Sequence, residues 1–89
     1  MITGPQMRAA RALLGIDQKQ LAERAGVSLP TIQRMEASDG TVRGVIDTLT
    51  KVVEAFDRGG VELIADNAVS HEGGRGVRFK HPPDPETRR

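Results

Sequence analysis

The side chains best suited to specific chemistry in this sequence are planar or hydroxyl hydrogen-bonding groups between residues 18 and 34. Gln18, Ser28, Thr31, Gln33 and Arg34 lie there, with Leu29 and Pro30 among them. An arginine fork donates two parallel hydrogen bonds to a flat acceptor pair, and a glutamine amide both donates and accepts. This is chemistry for recognition, and no catalytic constellation accompanies it. His71 lies in a polar, glycine-rich stretch and His81 in a proline-rich tail, and no cysteine occurs. Neither a phosphate loop ending in Gly-Lys-Ser/Thr nor a His-Glu-x-x-His pair is present. Gly73-Gly74-Arg75-Gly76 lacks the strand-before, helix-after setting of a nucleotide fingerprint, and His71-Glu72 is a lone pair of ligand types. No enzyme activity, metal or cofactor is expected.

Totals narrow the classes further. The 89 residues make one small domain, whose core is small enough that oligomerisation is a common supplement. Formal charge is only +1, from 13 basic and 12 acidic residues, so charge alone does not bind the chain to nucleic acid. By count, residues 1–44 hold six Lys/Arg against four Asp/Glu, and residues 45–89 hold seven against eight. The amino-terminal half is therefore mildly positive. Phe56 and Phe79 are the two aromatic residues, too few for a single-strand binder built on stacking. The absence of cysteine, of a basic-then-apolar leader and of a long apolar run leads us to expect a cytoplasmic protein.

The elements that must position the polar cluster are helices. Thr3 with Gln6 reads as a capping box, Pro5 fits the first turn, and Met7, Ala10, Leu13 and Leu14 recur at helical spacing up to Gly15. Asp17 with Gln20 opens a second helix carrying Leu21, Ala22 and Ala25 inward, and Gly26 breaks it. Ser28 caps a third helix with Ile32 and Met35 inward. After a turn-rich loop, a longer helix is predicted over roughly residues 42–57. Its one-sided apolar set is Val45, Ile46, Leu49, Val52, Val53 and Phe56. Val61-Glu62-Leu63-Ile64 and Gly76-Val77-Arg78-Phe79-Lys80 then read as two strands. The predicted organisation is a helical domain over 1–58, a β-strand dimerisation extension over 59–80 and a disordered tail over 81–89.

Residues 17–36 thus form a short helix, a glycine turn and a second capped helix, the helix-turn-helix pattern whose second helix lies in the DNA major groove. Ala22 is small where the helices cross, Gly26 suits a positive φ, and Val27 and Ile32 are apolar where the motif needs a core. From pattern alone, a DNA-binding module and a plain helical interaction domain are both open. The residues also resemble a known family, the phage-repressor/Cro type of helix-turn-helix regulator, or XRE family. Its motif is carried by Arg11, Gly15, Gln18, Leu21-Ala22, Ala25-Gly26-Val27-Ser28, Thr31-Ile32, Arg34 and Glu36, and the resemblance covers about residues 5–57. It implies a mainly α fold, a four- to five-helix repressor-like bundle, here with a short C-terminal pair of β-strands. It also implies a sequence-specific transcriptional regulator, more often a repressor, that binds a palindromic site in double-stranded DNA as a homodimer.

Residue roles follow from that resemblance. Gln18 opens the first motif helix, where the family sets a glutamine against the DNA backbone, and Ser28 both caps the recognition helix and can meet a phosphate. Leu29, Pro30, Thr31, Gln33 and Arg34 are the recognition-helix candidates, with Leu29, Pro30, Gln33 and Arg34 expected on one outward side. Arg34 suits a guanine edge and Gln33 an adenine. Leu29 and Pro30 offer only apolar surface, a departure from members with polar readers there. Pro30 also reads as a plain helix starter. Arg43 is a phosphate candidate, with Arg8 and Lys19 weaker ones, while Arg11 and Glu36 are expected to form a partly buried structural salt bridge.

The strand sequences also resemble a subgroup ending in Gly-Val-Glu-Phe-Ile and Gly-Val-Arg-Leu. Two isolated strands are marginal, so a C2 dimer through Phe56, Leu63, Ile64, Val77 and Phe79 is expected, its recognition helices about 34 Å apart. The basic residues Arg75, Arg78 and Lys80 are read as a charged sheet edge. Two rival functions remain. One is an antitoxin that represses its own operon and holds a toxin partner through the strands or tail. The other is a protein-interaction module that keeps the fold without binding DNA.

Overall fold

The computed structural model describes residues 2–38, 40, 42, 46–65 and 73–81. These form helices α1 (Gly4–Leu14), α2 (Gln18–Ala25), α3 (Leu29–Glu36) and α4 (Ile46–Arg58), followed by strands β1 (Val61–Ile64) and β2 (Gly76–Phe79). The fold is mainly α with a short antiparallel pair of strands.

Each of the first three helices starts on a side-chain cap. Thr3 Oγ1 accepts from Gln6 N at 3.1 Å while Gln6 Oε1 accepts from Thr3 N at 3.0 Å. Asp17 and Gln20 reciprocate in the same way, at 2.7 and 2.9 Å. These caps satisfy N–H groups that the first turn of a helix leaves unpaired. Between α2 and α3 the chain turns on Gly26, whose φ of +72° is a conformation that a Cβ would strain. Its N–H and that of Val27 both donate to Ala22 O, at 2.9 and 3.0 Å, closing α2 before α3 begins.

The core lies where α1–α4 converge, around Met7, Leu21, Ile32, Val52 and Phe56, with Val42 and Val61 closing its edges. One approach there is very close. A Cβ on Gly4 would stand 2.2 Å from Ser38 O and 2.9 Å from Glu36 O, so the start of α1 presses directly on the chain leaving α3.

β1 and β2 pair with each other, Val61 opposite Phe79 and Ile64 opposite Gly76, and contact α1 and α4. Gln6, 5% exposed, pins them: its Nε2 donates to Ile64 O and to Gly76 O, both at 3.0 Å. One side chain therefore completes the α1 cap and anchors the end of the sheet. Arg78 pairs with Glu62, directly opposite it on β1, at 2.6 Å, and Lys80, just after β2, pairs with Asp57 of α4.

The sequence expectation for the last helix changes in part. The described part of the last helix runs over Ile46–Arg58, and Val42 itself is not helical. Val42 is buried, and its N–H donates to Ile2 O at 2.8 Å, which ties it to the N-terminal segment instead. Within α4 the inward set is Leu49, Val52, Ala55 and Phe56, while Ile46 is 78% exposed and Val53 is also exposed. Phe56, expected at a dimer interface, is 0% exposed and packs in the core. Leu63, Ile64, Val77 and Phe79 are half-buried. Val45, residues 66–72 with His71, and the tail over 82–89 lie outside the described residues.

Candidate nucleic-acid interface

The chain positions α3 from both ends. At its start, Ser28 is extended and its Oγ accepts from Thr31 N at 3.3 Å. The Ser28 and Thr31 hydroxyls are also bonded to each other at 2.8 Å. Pro30 stands in the first turn, where its missing N–H has no intrahelical acceptor to lose. One face of α3 is committed to the core through Ile32, Met35 and Glu36. Pro30, Gln33 and Arg34 are exposed, and Thr31 is half-exposed. Leu29, expected on the outward side, is half-buried and packs against the core. Leu29 precedes the buried Glu36 by seven residues, nearly two full turns, and so lies beside the inward face.

At its far end α3 is held by charge. Arg11 donates from Nε to Glu36 Oε2 at 2.7 Å and from Nη2 to Glu36 Oε1 at 2.8 Å, a bidentate pair across α1 and α3. The Glu36 side chain is 2% exposed. Arg11 Nη1 continues to Ile16 O at 3.2 Å, and Arg8 Nη1 donates to Glu36 O. The hydrogen bond to Glu36 raises the Arg11 pKa above its ordinary value. Partial burial opposes the rise, and the Glu36 and Asp17 carboxylates add to it. The pair's stabilisation through Arg11 is therefore full at neutral pH and is lost only as pH climbs past that raised pKa.

Gln18 is the first residue of α2, half-exposed, with Nε2 donating to Glu36 Oε1 at 3.2 Å. Sequence spacing offered no signal for that bond, which joins residues eighteen apart. Lys19 is exposed beside it, whereas Arg8 is engaged with the end of α3. Arg43 lies outside the described residues. Arg58 Nη2 donates to Arg24 O at 2.9 Å and braces α4 against the end of α2. Among the described residues there is no group of three or more His, Asp or Glu able to hold a metal, and no helix long and apolar enough to cross a membrane.

Two short capped helices joined by a glycine turn, the second held against the core with an amide and a guanidinium outward, define a helix-turn-helix protein. A model of the helix-turn-helix family matches residues 7–63, and the chain belongs to that family, in its XRE type. It is a regulator that binds double-stranded DNA. No curated protein matches the chain.

Proposed function

We propose that the protein is a transcriptional repressor that reads a palindromic operator as a C2 dimer, with α3 in the major groove. The observation that carries this reading is the division of α3. Ile32, Met35 and Glu36 are buried, while Pro30, Gln33 and Arg34 stand outside. An α-helix with its side chains is about 10–12 Å across, and the major groove is about 12 Å wide. Arg34 donates to a guanine edge, Gln33 reads adenine, and Pro30 offers apolar surface to a thymine methyl. Gln18 and Ser28, at the starts of α2 and α3, meet phosphates where helix dipoles favour an anion.

The dimer reading is supported by an apolar groove of about 380 Å³ between α4 and β1, lined by Ile46, Leu49, Val53 and Leu63. A projecting isoleucine beside a hollow of matching chemistry suits an isologous contact, in which each copy supplies both parts. Leu63, Ile64, Val77 and Phe79 would flank this contact, and Phe56 would support it from within.

Selection of binding sites from random duplexes tests the reading. A recovered site with two inverted half-sites supports it, and no enrichment over input overturns it. Arg34→Ala is expected to cost about 1–3 kcal/mol of binding and to relax preference at one base position. An equal loss on every sequence would make Arg34 a phosphate contact instead.

A further inference from the structure

Glu36 receives more donors than its charge requires. Arg11 alone neutralises it with two bonds at 2.7 and 2.8 Å, yet Gln18 Nε2 adds a third at 3.2 Å. The third bond acts on Gln18. A carboxylate only accepts, so it dictates that the amide turns its nitrogen inward, and it uses one of two N–H groups there. Among the described residues the Gln18 amide makes no other hydrogen bond, which leaves the second N–H for an external acceptor. The backbone beside it is tied to the same cluster, because Arg11 Nη1 holds Ile16 O just before the Asp17 cap.

We propose that Glu36 is a positioning residue for DNA binding, presetting the Gln18 amide at the N-terminus of α2 to donate to a phosphate oxygen. The proposal rests on the DNA-binding reading of Gln18. Two consequences follow from the geometry. A half-exposed glutamine otherwise loses rotamer freedom when it binds, and here part of that loss has already occurred on folding. Glu36 also ends the helix that carries Gln33 and Arg34. The phosphate contact from α2 and the base contacts from α3 are therefore held in one register, so that backbone anchoring aligns the reading residues.

A double-mutant cycle in affinity separates positioning from mere structure. Gln18→Met keeps the side chain's length without its hydrogen bonds, and Glu36→Gln keeps an acceptor for Arg11 while releasing its hold on the amide's orientation. On the duplex recovered by selection, Gln18→Met is expected to weaken binding about tenfold, in line with one lost bond to a charged acceptor. Glu36→Gln is expected to weaken it severalfold alone and to add nothing in the Gln18→Met background. Additive losses, with the wild type binding its site, overturn the proposal and leave the DNA-binding reading standing. A wild type that binds no duplex overturns both. The second measurement needs no variant to fold. In the free wild-type protein, NMR should show one Gln18 side-chain amide proton shifted by the carboxylate away from its coil position, and DNA should then move the other. Coil-like amide shifts in the free protein overturn the proposal.

Discussion

Glu36 is a buried anion whose partner sits one-fifth exposed on another helix, so the two ends of the ion pair differ in what their loss does. Removing Arg11 leaves a carboxylate, only 2% exposed, with an amide in place of a cation. Arg11→Met is therefore expected to lower unfolding free energy by about 3 kcal/mol, toward the low end for a broken buried pair because Arg11 reaches water. Glu36→Gln retains an oxygen for Arg11 and should cost less. Urea denaturation of the two variants checks the order. Gly4 makes a steric argument at the same scale. A methyl group there meets two backbone oxygens that cannot rotate away, so Gly4→Ala is expected to cost about 1–3 kcal/mol. Gly74→Ala, with nothing within 4 Å of the added carbon among the described residues, should be close to neutral.

Among elements, the sheet depends on α1. Two four-residue strands hold little by themselves, and Gln6 supplies both remaining amide protons to the carbonyls of the Ile64–Gly76 pair. Gln6→Ala removes those bonds and half of the Thr3 cap together. Hydrogen exchange is expected to accelerate across β1 and β2 while α2 and α3 keep their protection. Uniform acceleration over all elements would mean instead that the sheet and helices open as one unit.

For the whole molecule, the proposed assembly turns on the face that α4 and β1 leave open. Ile46 is exposed and makes no claim on the core, so Ile46→Glu should leave the monomer's melting unchanged. Sedimentation should then show weaker self-association. Binding to a full palindrome should fall toward that of a single half-site, because the second recognition helix no longer arrives with the first. Unaltered self-association would move the interface to another face.

Much of the helical frame was legible locally. Thr3 with Gln6, Asp17 with Gln20, Ser28 before Pro30, and Gly26 between two helices are signals whose partners lie within a few residues. Alternation and β-branching marked the two strands, and the spacing from Arg11 to Glu36 pointed to the family. The fourth helix was harder. Periodicity grouped Ile46 and Val53 with Leu49, Val52 and Phe56, but a hydrophobic stripe does not say which of its edges meets a neighbour. Leu49, Val52 and Phe56 meet the core while Ile46 and Val53 stay exposed, and Val42 is buried with its N–H bonded to Ile2 O, forty residues away. The same limit applies to Gln18. Its type and place at the start of α2 were set by sequence, while its bond to Glu36 depends on how α2 and α3 pack. What the chain determined alone were caps, turns and periodic faces, which arise from neighbours along the backbone. What only the tertiary structure decided was which polar atoms meet at long range, because burial and hydrogen bonding there depend on all the packed elements together.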